Sequence, residues 1–242
     1  MKKTIAVIGI DGNMGPAMAY GFAKAGYRTL VSPYAAEDST AQTGKVDSLV
    51  SKVRVREPRA EIEIVSSARE ASWEADIVIP TVPYNMQAAV AAEIEPVVVG
   101  KVIISVINPL SGTFDGLLIP TTNSAAEELA QLLPHSKVVK AFNTTLAMDF
   151  DTPEFVGHAV DVFIAGDDNE AVYEVAQLVR DVGLTPLSVG GLAMSRTLEN
   201  MMMLLINLSV RNHFLRPLGW KVVHDNVDQA ERRGLDSSKS NS

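Results

Sequence analysis

Short apolar segments alternate with segments of helical periodicity along most of this chain, and this alternation restricts the fold more than any other feature. The eight apolar segments are residues 4–8, 28–32, 61–65, 76–81, 101–107, 136–141, 159–165 and 185–189. Between the first two, Met14, Met18 and Phe22 recur at helical spacing. Strands that alternate with helices form mostly parallel sheets with helices on both faces. The sequence therefore predicts an α/β fold with a doubly wound, mostly parallel sheet and a short helical C-terminal extension.

The turn between the first strand and the first helix is rich in glycine. It reads Val7-Ile8-Gly9-Ile10-Asp11-Gly12-Asn13-Met14-Gly15. Gly12 and Gly15 match the last two glycines of G-x-G-x-x-G, and Ile10 stands in place of the first. Such a turn lets the backbone approach a pyrophosphate, which the helix N-terminus attracts. A plain tight turn is the alternative. We predict that the turn binds a dinucleotide through Gly9, Ile10, Asp11, Gly12, Asn13, Met14 and Gly15.

Three further strands are expected to end at the same edge of the sheet, where open α/β sheets bind their ligands. The predicted cofactor-binding residues there are Ser32, Pro33 and Tyr34, then Thr81, Val82, Pro83 and Tyr84, and finally Asn108 and Pro109. The second strand ends with neither the acidic residue that binds an NAD ribose nor the arginine that holds an NADP phosphate. The choice between the two dinucleotides is therefore open. Four cations, Lys52, Arg54, Arg56 and Arg59, either fold back to this strand or form a solvated face.

The composition argues against several classes of protein. The 242 residues contain no cysteine and carry a formal net charge of −8. Disulfides, thiolate metal sites, a cysteine nucleophile and broad binding to nucleic acid are therefore not expected. The four histidines lack metal-ligand spacing, so no metal site is predicted. Because no targeting segment is visible and no apolar run approaches about 20 residues, we expect a cytoplasmic protein without a membrane segment.

The less regular segments suggest how the chain is divided. Residues 33–60 are expected to form a surface loop with a short helix, and residues 108–121 a long loop. The last helix is expected to begin near Met194 and run past Leu208. Its apolar run, Met201 to Ile206, predicts burial on more than one side, as core or dimer interface. We divide the chain into a dinucleotide-binding domain (1–190), a C-terminal helix and extension with a dimer contact (191–232) and a disordered tail (233–242).

Several motifs occur together in one order. They are Gly12-Asn13-Met14-Gly15, Thr81-Val82-Pro83-Tyr84, Asn108-Pro109-Leu110, Val138-Val139-Lys140-Ala141-Phe142-Asn143-Thr144, Gly166-Asp167-Asp168 and Ser195-Arg196. Over residues 1–215 this set resembles the coenzyme F420-dependent NADP oxidoreductases and, more widely, the cytosolic domains of the STEAP metalloreductases. The resemblance implies a Rossmann-type domain that binds NADP(H), a homodimer, and hydride transfer between the nicotinamide and F420 or a flavin-type acceptor.

The resemblance also assigns roles to residues by position. It implies Asn143 and Thr144 as catalytic residues. The implied substrate-binding residues are Asn143, Thr144, Thr145, Ser195 and Arg196. The chain departs from the family pattern at Ile10, at Pro33 and Tyr34, where those enzymes carry basic residues, and at Asn143, where they often carry histidine.

Three functions are open on the sequence alone. The first is hydride transfer to a deazaflavin or flavin, the second is NADPH-dependent reduction of a small carbonyl or imine, and the third is non-catalytic sensing of NADP(H). Carbonyl or imine reduction needs a nearby proton donor, and only Tyr84 and Thr144 are candidates by position, which favours a flavin-like acceptor. Two cations have open roles. Lys140 either holds a phosphate or extends its stem from a buried strand, and Arg196 binds an anionic substrate or forms an ordinary ion pair.

Overall fold

The computed structural model describes residues 2–10, 12–34, 39–113, 115–155, 157–214 and 218–223, without the side chains of residues 39–46 and 155. Ten strands lie in this part of the chain. They are β1 (Thr4–Ile8), β2 (Arg28–Ser32), β3 (Ile62–Ile64), β4 (Ile77–Pro80), β5 (Val102–Ser105), β6 (Lys137–Lys140), β7 (Glu154–Phe155), β8 (His158–Ala159), β9 (Asp161–Gly166) and β10 (Thr185–Gly190). Each of the eight predicted apolar segments forms a strand, and the short pair β7–β8 was not predicted.

Eight of the strands form one twisted sheet in the order β10-β9-β6-β5-β4-β1-β2-β3. Neighbouring strands are parallel except for β6 and β9, which are antiparallel. The chain therefore runs outward from β1 in one direction to β3, returns to β4, and continues in the other direction. This reversal is the topological switch point of a Rossmann-type sheet, and the predicted fold class is confirmed.

Seven α-helices connect the strands. They are α1 (Met14–Lys24), α2 (Ser39–Arg56), α3 (Ala68–Glu74), α4 (Gln87–Ile94), α5 (Ala125–Leu132), α6 (Asn169–Asp181) and α7 (Ser195–Asn212). Helices α1, α2 and α6 pack on one face of the sheet, and α3, α4 and α5 pack on the other. Helix α7 lies beside α5, and its residues Leu198 and Met201 pack against Phe163 of β9. Both faces of β1, β4 and β5 are thus covered, which explains their uninterrupted apolar sequences.

One prediction about a helix is wrong, and another stays a prediction. The 33–60 segment, expected as a loop with a short helix, contains the 18-residue helix α2, which buries Val50 and Val53 against the sheet. Helix α7 begins and ends as predicted and is buried on one side within this chain, and the predicted dimer interface on its other side stays a prediction. Only a few of its residues are covered, and Leu204 and Leu208 are 49% and 36% exposed. The predicted tail, residues 233–242, lies outside the described residues.

A buried carboxyl group in the short 3-10 helix that follows β6 makes stability depend on pH. Asp149 is 2% exposed, and its Oδ2 accepts the backbone N–H of Leu146 at 2.7 Å. Burial raises the pKa of Asp149 to about 6. Below the unfolded value of about 3.9 the group is protonated in both states, and stability is lost as the pH rises from there through the folded pKa.

Replacing Asp149 by asparagine is therefore expected to stabilise the protein at neutral pH. The amide oxygen still accepts the Leu146 N–H, and the charge that burial disfavours is gone. We expect a gain of about 2 kcal/mol in the free energy of unfolding at pH 7.5 and almost none at pH 4. Urea denaturation at the two pH values measures this difference. A variant that is less stable than the wild type at pH 7.5 would contradict the argument.

Candidate functional site at the carboxyl edge of the sheet

The glycine turn fits closely between β1, β4 and the start of α1. Gly9 has φ +87°, a left-handed conformation that favours glycine, and a β-carbon there would also lie 2.7 Å from Val82 Cγ1. A β-carbon on Gly15 would lie 2.2 Å from the carbonyl oxygen of Gly9. The Thr81 hydroxyl reaches the carbonyl oxygens of Ile8, at 2.9 Å, and of Gly9. Two of the predicted glycines are therefore required by close backbone packing.

An open cleft lies over this turn. It has a volume of about 340 Å³ and is lined by Gly9, Gly12, Tyr34, Thr81, Val82 and Pro83. Because β1 lies between β2 and β4, the cleft sits at the topological switch point, where doubly wound sheets bind nucleotides. A β-carbon on Gly12 meets no atom within 4 Å, so the space above it is free. Six residues predicted to bind cofactor are thus brought together.

The N-terminus of α1 begins directly after Gly12 of the cleft lining, although Asn13 itself lines a separate groove between α1 and α2. Its N-cap residue, Asn13, makes no side-chain capping bond, and the first turn has no acidic residue. By contrast, Ser67, Ser124 and Asp168 cap α3, α5 and α6 with their side chains. Free N–H groups at a helix N-terminus attract anions. The turn, the cleft and the helix end therefore fit the pyrophosphate of a dinucleotide. Asp11 lies outside the described residues.

The end of β2, beside the cleft, offers few charged partners. Ser32 is fully buried, its hydroxyl donates to the Pro33 carbonyl at 3.0 Å, and Tyr34 is half-buried on the cleft wall. None of the four cations considered above folds back to the end of β2. Arg54 donates to the Ile62 carbonyl at 2.9 Å, and Arg56 pairs with Asp151 at 2.6 Å. Lys52 lines a separate groove between α1 and α2, and Arg59 lies near the C-terminus of α1.

An amide pair joins the ends of β5 and β6 further along this edge. Asn143 Nδ2 donates to Asn108 Oδ1 at 2.9 Å and to the Leu198 carbonyl at 2.8 Å. Asn108 Nδ2 donates in return to the Asn143 carbonyl at 2.9 Å. Asn143 Oδ1 is buried and accepts no bond from the described residues. The structure therefore brings Asn108 and Asn143 together, as expected of neighbouring strand ends.

The chain leaves β6 through a left-handed residue. Phe142 has φ 59°, which is rare for a bulky side chain. Its ring is fully buried, 6.0 Å from that of Phe22 and 5.6 Å from that of Phe150. This aromatic packing holds the sharp turn that places Asn143 next to Asn108. Unusual backbone conformations of this kind concentrate at functional sites.

The other predicted substrate-binding residues lie nearby but are largely enclosed. Thr144 and Thr145 are each 1% exposed, and Ser195 is fully buried. Arg196 forms two bonds with Glu127, at 2.8 and 2.5 Å, so the ordinary ion pair is the arrangement observed. This contact also holds the pKa of Glu127 below its usual range. The substrate-binding roles of these residues stay predictions.

The hydroxyl of Tyr84 is already engaged in a hydrogen bond and is not a free proton donor. The hydroxyl donates to Glu128 Oε2 at 2.7 Å. Burial, together with this carboxylate, raises the pKa of Tyr84 to about 12. The phenol therefore stays protonated near neutral pH, and its proton is already engaged with α5.

A buried ion pair at this edge was missed by the sequence reasoning. Lys140 and Glu199 are both fully buried, with Lys140 Nζ 2.7 Å from Glu199 Oε1. Lys140 therefore neither holds a phosphate nor extends its stem to solvent, and both earlier interpretations of it are wrong. Burial lowers its pKa against the opposing field of the carboxylate. The available signal was the single cation among the apolar residues 138–142, whereas the polar neighbours of Glu199 gave none.

Comparisons with known proteins agree with this geometry. Residues 4–109 match the family described as NADP oxidoreductase, coenzyme F420-dependent. The chain is 31% identical over 221 residues to the F420-dependent NADP reductase of Methanothermobacter thermautotrophicus, covering 88% of this chain and 91% of the relative. The chain belongs to the coenzyme F420-dependent NADP oxidoreductase family. The family resemblance inferred from the motifs is thereby confirmed, and the chain is a member of a family of oxidoreductases.

Two further proteins are similar to parts of this chain or to its fold. Metalloreductase STEAP3 of Rattus norvegicus is 37% identical over 100 residues, covering 41% of this chain and 20% of that protein. A crystal structure from Arthrobacter sp. FB24, provisionally assigned as an F420-dependent NADP reductase, has a TM-score of 0.77 and 23% identity, covering 91% of this chain and 99% of that one. The second likeness concerns the fold alone. Within the described residues of this family member, no helix is long and apolar enough to cross a membrane, and no acidic and histidine side chains cluster as a metal site.

Proposed function

We propose that the protein is an NADP(H)-dependent oxidoreductase that passes hydride between the nicotinamide and the deazaflavin F420. The observation that carries the proposal is the cleft at the switch point, where the glycine turn, the open N-terminus of α1 and the β4 exit converge. The relative that is 31% identical over most of both chains is named as an F420-dependent NADP reductase. A flavin is the second acceptor to test.

The residues of the cleft support binding of the dinucleotide. Gly12 leaves room for a pyrophosphate at the helix end, Gly9 and Gly15 allow the turn to pack closely, and Tyr34 offers a ring for the adenine. Thr81, Val82 and Pro83 flank the nicotinamide, and Asn108 and Asn143 border the acceptor beyond it. When bound, the dinucleotide supplies or receives the hydride. The chain's own contribution is to orient the two rings and to exclude water, which is what direct hydride transfer needs most.

The described residues offer weaker support for carbonyl or imine reduction. That reaction needs a side chain that can give a proton at the acceptor atom. Tyr84 donates to Glu128, Lys140 is enclosed with Glu199, and Thr144 is 1% exposed. Hydride transfer to a deazaflavin leaves a negative charge delocalised over its ring system, which can take up the balancing proton from solvent after release, so no proton-donating side chain is needed at the acceptor atom. We therefore favour the deazaflavin.

The experiment that tests the proposal combines binding and turnover. Purified protein is titrated with NADPH and with NADH, followed by fluorescence, and each complex is then mixed with F420 or FMN and followed at 340 nm. Tight NADPH binding with rapid oxidation by F420 is the expected result. Binding without oxidation by either acceptor would overturn the proposed acceptor and point to a carbonyl substrate or a sensor. Failure of both dinucleotides to bind would overturn the cofactor.

We further propose that the protein works in the cytoplasm as a homodimer that pairs through α7. The support is an apolar groove of about 310 Å³ on this helix, lined by Met203, Leu204, Asn207, Leu208, Arg211 and Asn212. Val210 adds to the apolar surface and is 67% exposed. Surfaces of this kind on a folded chain commonly mark an interface, and a two-fold dimer is the commonest way to bury one.

Placing charges on this face is expected to break the dimer. The double variant Leu204→Glu/Leu208→Glu puts four like charges into a two-fold contact and should shift the protein to monomers at micromolar concentration. Light scattering coupled to size exclusion measures the mass. Val55→Glu is the matched control, because Val55 is 81% exposed on α2, far from α7. Dimers that persist in the double variant would contradict the proposed interface.

A further inference from the structure

The bonds of the buried pair Lys140–Glu199 join four segments of the carboxyl edge. Lys140 Nζ, at the end of β6, donates to the Ile107 carbonyl at 2.5 Å as well as to Glu199 Oε1. The other carboxylate oxygen, Glu199 Oε2, accepts the N–H of Ala125 at 3.2 Å. Ile107 and Ala125 stand at the two ends of the long loop between β5 and α5. The pair therefore fixes both ends of that loop and the first turns of α7 to one strand end.

The amide pair described above joins three of these four segments, those of Ile107, Lys140 and Glu199. Asn108 follows Ile107 directly, Leu198 precedes Glu199, and Asn143 comes three residues after Lys140. Each of these three segments thus contributes one residue to the charged layer and a near neighbour to the amide layer. A displacement of the Ile107 carbonyl or of the Glu199 turn would carry Asn108 or the Leu198 carbonyl with it. The partners of Asn143 Nδ2 would then move apart.

We propose that Lys140 and Glu199 are positioning residues for hydride transfer, acting by holding Asn108 and Asn143 in register beside the acceptor. The inference rests on the proposed function, since it concerns the same site. Apolar side chains of similar size would fill the space, and replacing a buried ion pair in this way is often neutral for stability. Apolar side chains would not, however, fix the orientation of the neighbouring segments. The ammonium and the carboxylate do so through three hydrogen bonds of defined geometry, to the Ile107 carbonyl, to the Ala125 N–H and to each other.

The decisive variant removes both charges together. Lys140→Met/Glu199→Leu leaves no unpaired buried charge, so it is expected to fold. We expect kcat for NADPH oxidation by F420 to fall about tenfold or more, because small misplacement of site residues greatly slows an oriented reaction. The Kd for NADPH should change less than about twofold, because the cleft over the glycine turn is not touched. Arg28→Met is the matched control: it removes ion pairs with Glu63 and Glu74 at the opposite edge, and kcat should stay unchanged.

A second comparison tests whether the pair acts through the amides. Asn108→Ala alone should lower kcat, and adding it to the double variant should lower kcat no further. Additive losses, or a double variant with wild-type kcat, would overturn the inference. If the double variant does not fold, Glu199→Gln, which keeps the side-chain length and one acceptor oxygen, takes its place in the same cycle.

One readout needs no turnover and separates this inference from the proposed function. The side-chain amide protons of Asn143 should exchange slowly in the wild type, because both are bonded and buried. They should exchange at least tenfold faster in the double variant, as followed by ¹H–¹⁵N NMR. Equal exchange in both proteins would overturn the inference even if F420 is reduced. If exchange is faster in the double variant but the wild type oxidises NADPH with neither F420 nor FMN, the proposed function is overturned and the positioning of the amides by the ion pair still stands.

Discussion

Replacing Gly15 by alanine is expected to abolish dinucleotide binding and to destabilise the fold. A β-carbon at this position would lie 2.2 Å from the Gly9 carbonyl oxygen and 2.7 Å from Thr81 Oγ1. Because the nearest of these atoms is backbone, α1 must move away from the turn. We expect NADPH affinity to fall by about 100-fold or more, since the helix end no longer faces the pyrophosphate. The free energy of unfolding should fall by about 1–3 kcal/mol.

Two other glycines provide controls for this prediction. A β-carbon at Gly12 or at Gly116 meets no atom within 4 Å, but only Gly12 lines the cleft. Gly12→Ala should leave the unfolding free energy within about 0.5 kcal/mol of the wild type and still weaken NADPH binding. Gly116→Ala should change neither quantity. Fluorescence titration and urea denaturation measure both, and wild-type NADPH affinity in Gly15→Ala would contradict the assigned role of the turn.

Removing one charge of the Lys140–Glu199 pair is expected to be far more harmful than removing both. Glu199→Leu leaves the ammonium of Lys140 fully buried without a counter-ion. We expect this single change to lower the free energy of unfolding by about 3–5 kcal/mol at pH 7, and Lys140→Met to have an effect of similar size. The double variant should be about as stable as the wild type. Urea denaturation of the four proteins gives the coupling energy, and additive losses would contradict the pairing.

The pH dependence of Glu199→Leu provides a second check. Burial lowers the pKa of Lys140 even beside the carboxylate, and loss of that carboxylate lowers it further. A group with a lowered folded pKa favours its neutral form in the native state. The variant should therefore recover stability as the pH rises toward the unfolded lysine value of about 10.4. A deficit that stays constant between pH 7 and pH 10 would show that the lysine is not buried as a charge.

Strands and the glycine turn could be predicted because their signals are local. Apolar runs such as Ile77–Pro80 and Val102–Ser105 are continuous, and buried parallel strands have that pattern. The spacing of Gly9, Gly12 and Gly15 between a strand and a helix carries its own geometric meaning. The length of helix α2 was underestimated because its polar composition and the flanking prolines resemble a loop. The burial of Val50 and Val53 is evident only once the helix packs on the sheet.

The sequence alone could not show which charged residues are free to bind a ligand and which form ion pairs within the fold. Arg196 was considered for a substrate, yet it is bonded to Glu127, which lies 69 residues away in the chain. Lys140 and Glu199 are separated by 59 residues and meet only because α7 packs beside α5 and the end of β6. Local sequence patterns do not predict which carboxylate pairs with which cation when the two are far apart in the chain.

The sequence by itself determined the fold class, the edge of the sheet at which ligand binding is proposed and the glycine turn proposed to face the dinucleotide, because each follows from spacing within a few residues. Only the tertiary structure decided how that edge is held together. The Lys140–Glu199 pair and the Asn108–Asn143 amides depend on contacts between segments far apart in sequence. Their partners are chosen by the order of the strands and by the packing of α7, and both are properties of the whole sheet.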